Sequence, residues 1–269
     1  MYSGTTFRNA SGNVMGAHQK IDRVARRLLG ELQPETPFPP IKLILHFEGK
    51  NGPDGVKRKS PAQDEPWHYY DPKSSEPQPL LDLIEDHYRN LVSQLRAKNE
   101  ERAAFEAAWL AHALVDGLTP AHHYPYEEEL TKLRGEGLET RDSLKEKLVI
   151  NGDTTLEKLS NNWKMWGAKG LMTTHALFEL GIAVIVSPLR LNRAMPTEAE
   201  LAAIKTDGLP ATFIRYAKEI DALEMYDRYY RLGWTKKAAK QVRIELAPRI
   251  VKIVTLAWYL AEQEAGKQV

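Results

Sequence analysis

AWLAHALVDGLTPAHHYPY, residues 108–126, decides how this chain is read. His112, Asp116, His122 and His123 fall within twelve positions. The run leading into them, with Ala103, Ala104, Phe105, Ala107, Ala108, Trp109 and Leu110, is almost wholly apolar. Residues i and i+4 share one face of a helix, about 5–6 Å apart at Cβ. His112 and Asp116 therefore point the same way from a helix with apolar sides, which implies burial. A buried carboxylate must be paired or lose its charge, and a divalent cation is one partner that accepts both imidazole and carboxylate. His175 and Glu179, in THALFEL, repeat the relation. Either pair alone is also explained by a plain hydrogen bond; the triple His112, Asp116, His122 is more specific.

Outward from this stretch, the apolar spacing is helical nearly everywhere. Asn99 caps a helix that runs to about 118 and stops at Pro120. Further helices are expected at about 16–32, 80–98, 140–150, 163–187, 209–232 and 235–264. IKLILHF, 41–47, reads as helix or strand. Residues 48–79 read as a long irregular loop, and loops of that length are usually functional or disordered. The expected class is all-α: a single multi-helix domain over 1–269, without internal repeats.

The bulk composition limits the functions available. The 269 residues carry a formal net charge of +1 and 27% charged side chains, so there is no global basic field to hold nucleic acid. Mean hydropathy is −0.47. With no cysteine, thiolate metal sites, disulfides and cysteine nucleophiles are excluded, and any metal must be held by His, Asp, Glu, backbone or water. The start, MYSGTTFRNASGNVMG, lacks the basic and apolar regions of a signal peptide. LGIAVIVSPL, 180–189, is about half the length of a transmembrane span. As it stands the sequence reads as cytoplasmic and without a transmembrane segment; a leader upstream would make it secreted.

The motifs together carry a family resemblance. This chain resembles the zinc-dependent phospholipase C family, which shares its fold with the fungal zinc single-strand nucleases. The family's His-three-Asp-five-His run is matched by His112, Asp116 and His122, with Pro120 also in place. Its His-three-acid pair is matched by His175 and Glu179, and Glu there is the form of the bacterial phospholipases. Its H-F-Y-D-P is HYYDP here, with His68 as ligand. Asp54 stands fourteen residues before His68, and His18, in GAHQKID, opens the first helix. The match runs over 18–179 in the family's order and uses five of the eight histidines.

The resemblance implies two or three zinc ions. Asp54, His68, His112 and Asp116 would hold one, and His122, His175 and Glu179 a second. Asp116 would bridge the first to a third, bound also by His18. It implies a zinc-dependent phosphodiester hydrolase in which metal-bound hydroxide attacks phosphorus, with Asp54 as ligand and general base. The expected partner is a phosphodiester substrate such as a phospholipid headgroup. The alternatives are a single-strand nuclease of the same fold, which the near-zero net charge and Glu179 disfavour, and a metal-binding helical module without catalysis.

Two departures from the family bear on these expectations. Its third zinc is completed by an N-terminal Trp, where this chain has Met1 and Tyr2. Its choline-recognising aromatics are replaced by Gly55 and Glu65, so phosphatidylcholine specificity is not expected. The stretch between His122 and His175 is longer than in the compact bacterial enzymes, and about 124–170 is expected to be an insertion or lid. Several residues keep a plainer reading. Asp54 lies in NGPDG, a turn signature, and Asp64 is its rival as ligand. Asp71 reads as a loop brace, His87 as a satisfied interior histidine and His123 as a rim group; His46 belongs to no constellation. Trp67, Trp109, Trp163 and Trp166 read as core or pocket wall. The run Lys57, Arg58, Lys59 could attract a phosphate-bearing ligand.

Overall fold

The computed structural model describes residues 1–2, 16–35, 37–60 and 67–267, and over these the chain is helical with no strand. In chain order the α-helices are α1 (Ala17–Leu32), α2 (Ile41–His46), α3 (Pro53–Lys59), α4 (Pro79–Arg96), α5 (Glu100–Gly117), α6 (Tyr126–Arg134), α7 (Leu144–Leu148), α8 (Thr155–Trp166), α9 (Leu171–Val186), α10 (Glu198–Asp221), α11 (Met225–Leu232), α12 (Lys236–Gln241) and α13 (Ala247–Ala265). The all-α class expected from the sequence therefore holds.

α5 is the spine. Asn99 accepts a hydrogen bond from the Arg102 amide at 3.1 Å, and Glu100 and Glu101 offset the positive end of the helix dipole. Its alanines at 103, 104, 107, 108, 111 and 113 are buried and let α4, α13, α2 and α1 pack closely around it. The fully buried Trp258 of α13 donates its indole N–H to the Ala107 carbonyl at 3.2 Å. α5 ends because Pro120 cannot continue it, and Thr119 Oγ1 donates to the Val115 carbonyl at 2.7 Å. The chain then tightens into a 3-10 turn, Pro120–His123, which carries His122 beside the helix end.

Several boundaries differ from the sequence reading. IKLILH is helix. The expected loop 48–79 is irregular only in part: a 3-10 turn, Gly49–Asn51, and α3 occupy its first half. NGPDG is the start of a helix rather than a free turn, with Gly52 as N-cap, Pro53 at N1, Asp54 in the first turn and three basic residues in the last. The expected helix 163–187 is two helices, α8 and α9, separated at 167–170 by a segment with a glycine at each end. α10 begins earlier than expected, at the Thr197 capping box. It kinks at Gly208, whose φ of 79° favours glycine, so the expected start at 209 marks the kink. By length and composition one stretch, 155–186, is apolar enough to cross a membrane. The break divides it, and the 16 residues of α9 extend about 24 Å against a hydrocarbon core of about 30 Å.

The main core joins α1, α2, α4, α5, α9, α10, α11 and α13. A smaller cluster of Tyr126, Leu130, Ile150 and Met165 is formed within the segment expected to be an insertion or lid. Gly117 sits where α5 meets α4 and α10: a Cβ there would lie 2.6 Å from Leu80 Cδ2 and 2.7 Å from Phe213 Cζ. Gly117→Val should destabilise the protein by about 1–3 kcal/mol through overpacking, read as a lower midpoint in thermal denaturation.

Candidate metal centre

Residues from six separate stretches converge on Asp116. Its Oδ2 lies 2.9 Å from His68 Nδ1 and 3.2 Å from His112 Nε2. Its Oδ1 lies 3.2 Å from His18 Nε2 and 3.7 Å from His122 Nδ1. Beside it, Glu179 Oε1 lies 2.8 Å from His122 Nε2 and 3.2 Å from His175 Nε2. The α-amino group of Met1 hydrogen-bonds Asp116 and lies 3.1 Å from Glu179 Oε1. His18 and His112 stack at 4.0 Å, and His122 and His175 at 5.1 Å.

Each ligand atom is positioned by local structure. His112 and Asp116 share a face of α5; His175 and Glu179 share a face of α9. His18 lies in the first turn of α1, where the Ala17 amide bonds the Tyr2 carbonyl at 2.8 Å. The segment bearing His68 is strapped to the 3-10 turn twice. The Tyr70 amide donates to the His122 carbonyl at 3.1 Å, and His122 Nδ1 lies 3.1 Å from the His68 carbonyl. That second contact fixes the His122 ring with Nε2 towards Glu179.

The donors fit divalent cations. Three sets have ligand atoms within 4.8 Å of one another: His68, His112, Asp116; His122, His175, Glu179; and His18, Glu48, His112. Two ligand atoms on one tetrahedral zinc are about 3.3–3.6 Å apart, close to several of the separations above. His68 Nε2, His112 Nε2, His175 Nδ1 and both ring nitrogens of His18 are buried without a hydrogen-bond partner among the described residues. A buried polar atom left unsatisfied is costly, and an ion would engage such atoms.

The eight residues named from the sequence thus lie together, with one difference of degree. Asp54, in the first turn of α3, sits at the edge of the first set, 3.8 Å from His112 Nε2. Asp64 lies outside the described residues. His123 bonds the Gly117 carbonyl at 2.9 Å and stands apart from the cluster. His87 is paired with Glu106 at 2.6 Å, and Asp71 accepts the Lys73 amide at 2.9 Å as a loop brace. Trp166 lines the pocket beside the cluster, whereas Trp163 is 71% exposed and belongs to neither core nor wall.

Glu48 was not visible in the sequence reading. It follows α2 with no motif around it, yet it is 1% exposed and its Oε1 lies 3.0 Å from His112 Nδ1. That contact leaves Nε2 of His112 facing Asp116 and Asp54, the arrangement in which an outer carboxylate orients a metal-ligating histidine. The only sequence signal was an acid directly after an apolar run.

Electrostatics prepare most of these groups for a cation. Burial opposes charge on Asp116, but the Met1 amine and the imidazoles of His122, His112 and His18 outweigh it and hold the carboxyl well below its usual range. Glu179 is held low in the same way, by the Met1 amine and His175 against burial. Burial likewise works against Asp54, but His112 prevails and its value is lowered to about 2. The Met1 amine is raised to about 10: burial lowers it, and Asp116 and Glu179 more than compensate. Burial lowers His68 to about 4 and His122 to about 3, which favours the neutral imidazole that ligates metal. His112 is raised, because Glu48 and Asp116 outweigh its burial.

No family model, characterised protein or solved structure matches the chain.

Two outcomes are expected. In metal-stripped protein, His68 and His122 have folded values below their usual 6.5, so the unfolded chain takes up protons first. Their contribution to stability is complete above about pH 6.5 and is lost as pH falls towards 4 and then 3. His112 has the opposite sign: its contribution is complete below pH 6.5 and fades as pH rises through its raised value. Thermal denaturation from pH 4 to 8 should therefore show a fall in midpoint on the acid side. Separately, Glu48→Gln should weaken metal affinity about 10–100-fold although the sets His68, His112, Asp116 and His122, His175, Glu179 keep all their members, measured by competition with a chromogenic chelator.

Proposed function

We propose that this chain is a metal-dependent phosphodiester hydrolase of the zinc phospholipase C type. One observation carries the reading: Asp54, Asp116, His122, His175 and Glu179 line a single cavity of about 270 Å³ whose wall also bears Lys57 and Arg58. A cluster able to hold several cations and a basic wall face the same space. That combination suits a ligand with one negative charge shared over phosphoryl oxygens.

Zinc is the ion the donors favour: imidazole nitrogen and carboxylate oxygen, no thiolate, and spacings near a tetrahedral edge. His68, His112 and Asp116, with Asp54 at the edge, would hold one ion. His122, His175 and Glu179 would hold a second. His18 and Asp116 would contribute to a third, beside the nitrogen of Met1. Bound divalent ions supply Lewis acidity, polarising phosphoryl oxygens and making a water acidic near neutral pH.

The chain's own groups provide the rest. Asp116 presents both oxygens to different imidazoles, so it can join two sites. Lys57 and Arg58 draw the phosphodiester anion towards the cluster. Tyr69 and Tyr126, stacked on each other at 5.6 Å and packed against His122 and His175, line the same cavity together with the apolar side chains of Leu130, Met165 and Trp166 and limit water. Asp54, held at about 2, stays ionised at neutral pH. That value suits a ligand, since a general base works best with a pKa near the operating pH.

The test begins with metal content, for which two or three ions per chain are expected. The zinc-loaded protein should cleave bis(p-nitrophenyl) phosphate or a short-chain phospholipid, lose that activity to a chelator and regain it on zinc addition. His112→Ala should lower kcat/KM by more than the about 10–100-fold that loss of an outer partner costs. Full loading without turnover on phospholipid, soluble diester or single-stranded DNA would overturn the reading in favour of a metal-binding module. Turnover on DNA alone would move it to the nuclease.

A further inference from the structure

Outside the cluster, the least expected surface is α8. Leu156, Leu159, Trp163 and Trp166 recur at intervals of three, four and three, which puts them on one face of the helix. That face is turned to solvent: the four side chains are 80%, 64%, 71% and 40% exposed. Met165 is the buried residue of α8, so the helix is anchored by its other side. On neighbouring α7, Leu144 and Leu148 are also exposed, and Trp166 donates its indole N–H to the Leu148 carbonyl at 2.7 Å. Isolated exposed apolar residues need no account, but a contiguous run of large ones marks an interaction surface.

Two observations indicate what covers it. First, the surface is continuous with the pocket: Leu148 and Trp166 belong to the exposed run and also line the cavity that holds Asp116 and Glu179. Second, its surroundings carry an excess of basic groups once the end of α3 is included, although Asp142, Glu146, Asp153 and Glu157 are interspersed. Lys158 and Lys164 flank the apolar stripe on α8. Asp153 and Glu157 gather at the helix start, where Glu157 accepts the Asp153 amide at 3.0 Å. Lys147 of α7 donates to the Lys57 and Ser60 carbonyls at the end of α3, which ties the run Lys57, Arg58, Lys59 to the same face.

We propose that the α7–α8 face is a membrane-surface docking element that sets the pocket mouth against the headgroups of an anionic lipid bilayer. A helix of 12 residues, about 18 Å long, cannot span a bilayer but can lie in its interface. Leu and Trp on one face with Lys on the flanks is the pattern of interfacial helices, and Trp prefers the headgroup level. The docked bilayer covers the apolar side chains, pairs the basic rim with lipid phosphates and brings a phosphodiester to the cavity without extracting the lipid. The inference rests on the proposed hydrolase reading for its purpose, though the docking itself does not depend on catalysis.

The test uses the full zinc-loaded chain and two readouts. The first is flotation with phosphatidylcholine vesicles containing about 30 mol% phosphatidylglycerol, an anionic surface that attracts basic residues. The wild type should float with the vesicles, and its Trp emission should shift to the blue. The triple variant L156S/L159S/W163S changes only exposed residues away from the cavity. It should bind at least tenfold more weakly while keeping its helical circular dichroism. K57E/R58E should also weaken binding and flatten its salt dependence. The second readout is cleavage of bis(p-nitrophenyl) phosphate, which needs no membrane and which the triple variant should perform like the wild type. Failure of the wild type to bind vesicles, or equal binding by the triple variant, overturns the docking proposal. So does a wild-type dimer that the triple variant converts to monomer, since a second copy would then cover the face. Vesicle binding without cleavage of the soluble diester overturns the hydrolase reading and leaves the docking standing.

Discussion

Asp116 places a negative charge inside the helix that the rest of the fold packs around. Its carboxylate is 2% exposed and sits in the last turn of an alanine-rich spine. Such a charge is tolerated only where polar partners, a positive group or a cation meet it. The structure responds with His18, His68, His112 and His122, drawn from α1, the loop before α4, α5 itself and the turn after it. The Met1 ammonium contacts it as well. Much of the local architecture follows from that demand. α5 must stop at Pro120 so that His122 can turn back, and α1 must begin where His18 can reach.

The sequence exposed this constraint because the constraint is periodic. His112 and Asp116, and His175 and Glu179, announce themselves by a helical spacing that survives without coordinates. The class of fold was legible for the same reason: apolar periodicity of 3.6 recurs through most of the chain. What was not legible was set by tertiary contact. Glu48 has no neighbours in sequence that mark it, and only the approach of α2 to α5 brings it to His112. NGPDG carries signals for a turn and for a helix start at once, and α3 forms because its basic last turn meets the dipole. α6 and the first two turns of α8 fell outside the expected helices, because α6 is rich in charge and the apolar residues of α8 face solvent instead of marking a buried stripe. For Trp163, an aromatic in a helix reads as core until its exposure is known.

The protein divides into two kinds of packing around one cavity. The cluster-bearing side belongs to the main core, where α5, α13, α4 and α1 interlock through small side chains and fully buried large ones. The facing side rests on Tyr126, Leu130, Ile150 and Met165, a cluster small enough that α8 leaves most of its surface in solvent. Ligand geometry is therefore supported by the most densely packed part of the chain, and the cavity's breadth by the least.

The double strap between the His68 segment and the turn carrying His122 has a consequence for how the site can change over evolutionary time. Because one strap is backbone to backbone and the other ring to backbone, neither segment can shift without disturbing both His68 and His122, so that wall is closed to variation. Local opening free energies follow buried contacts, which makes the facing helices the cheaper part to deform or rebuild. Insertions and substitutions there can alter what enters the cavity while the His/Asp/Glu cluster beneath stays the same. Sequence variation in chains of this design should accumulate on one bank of the cleft only.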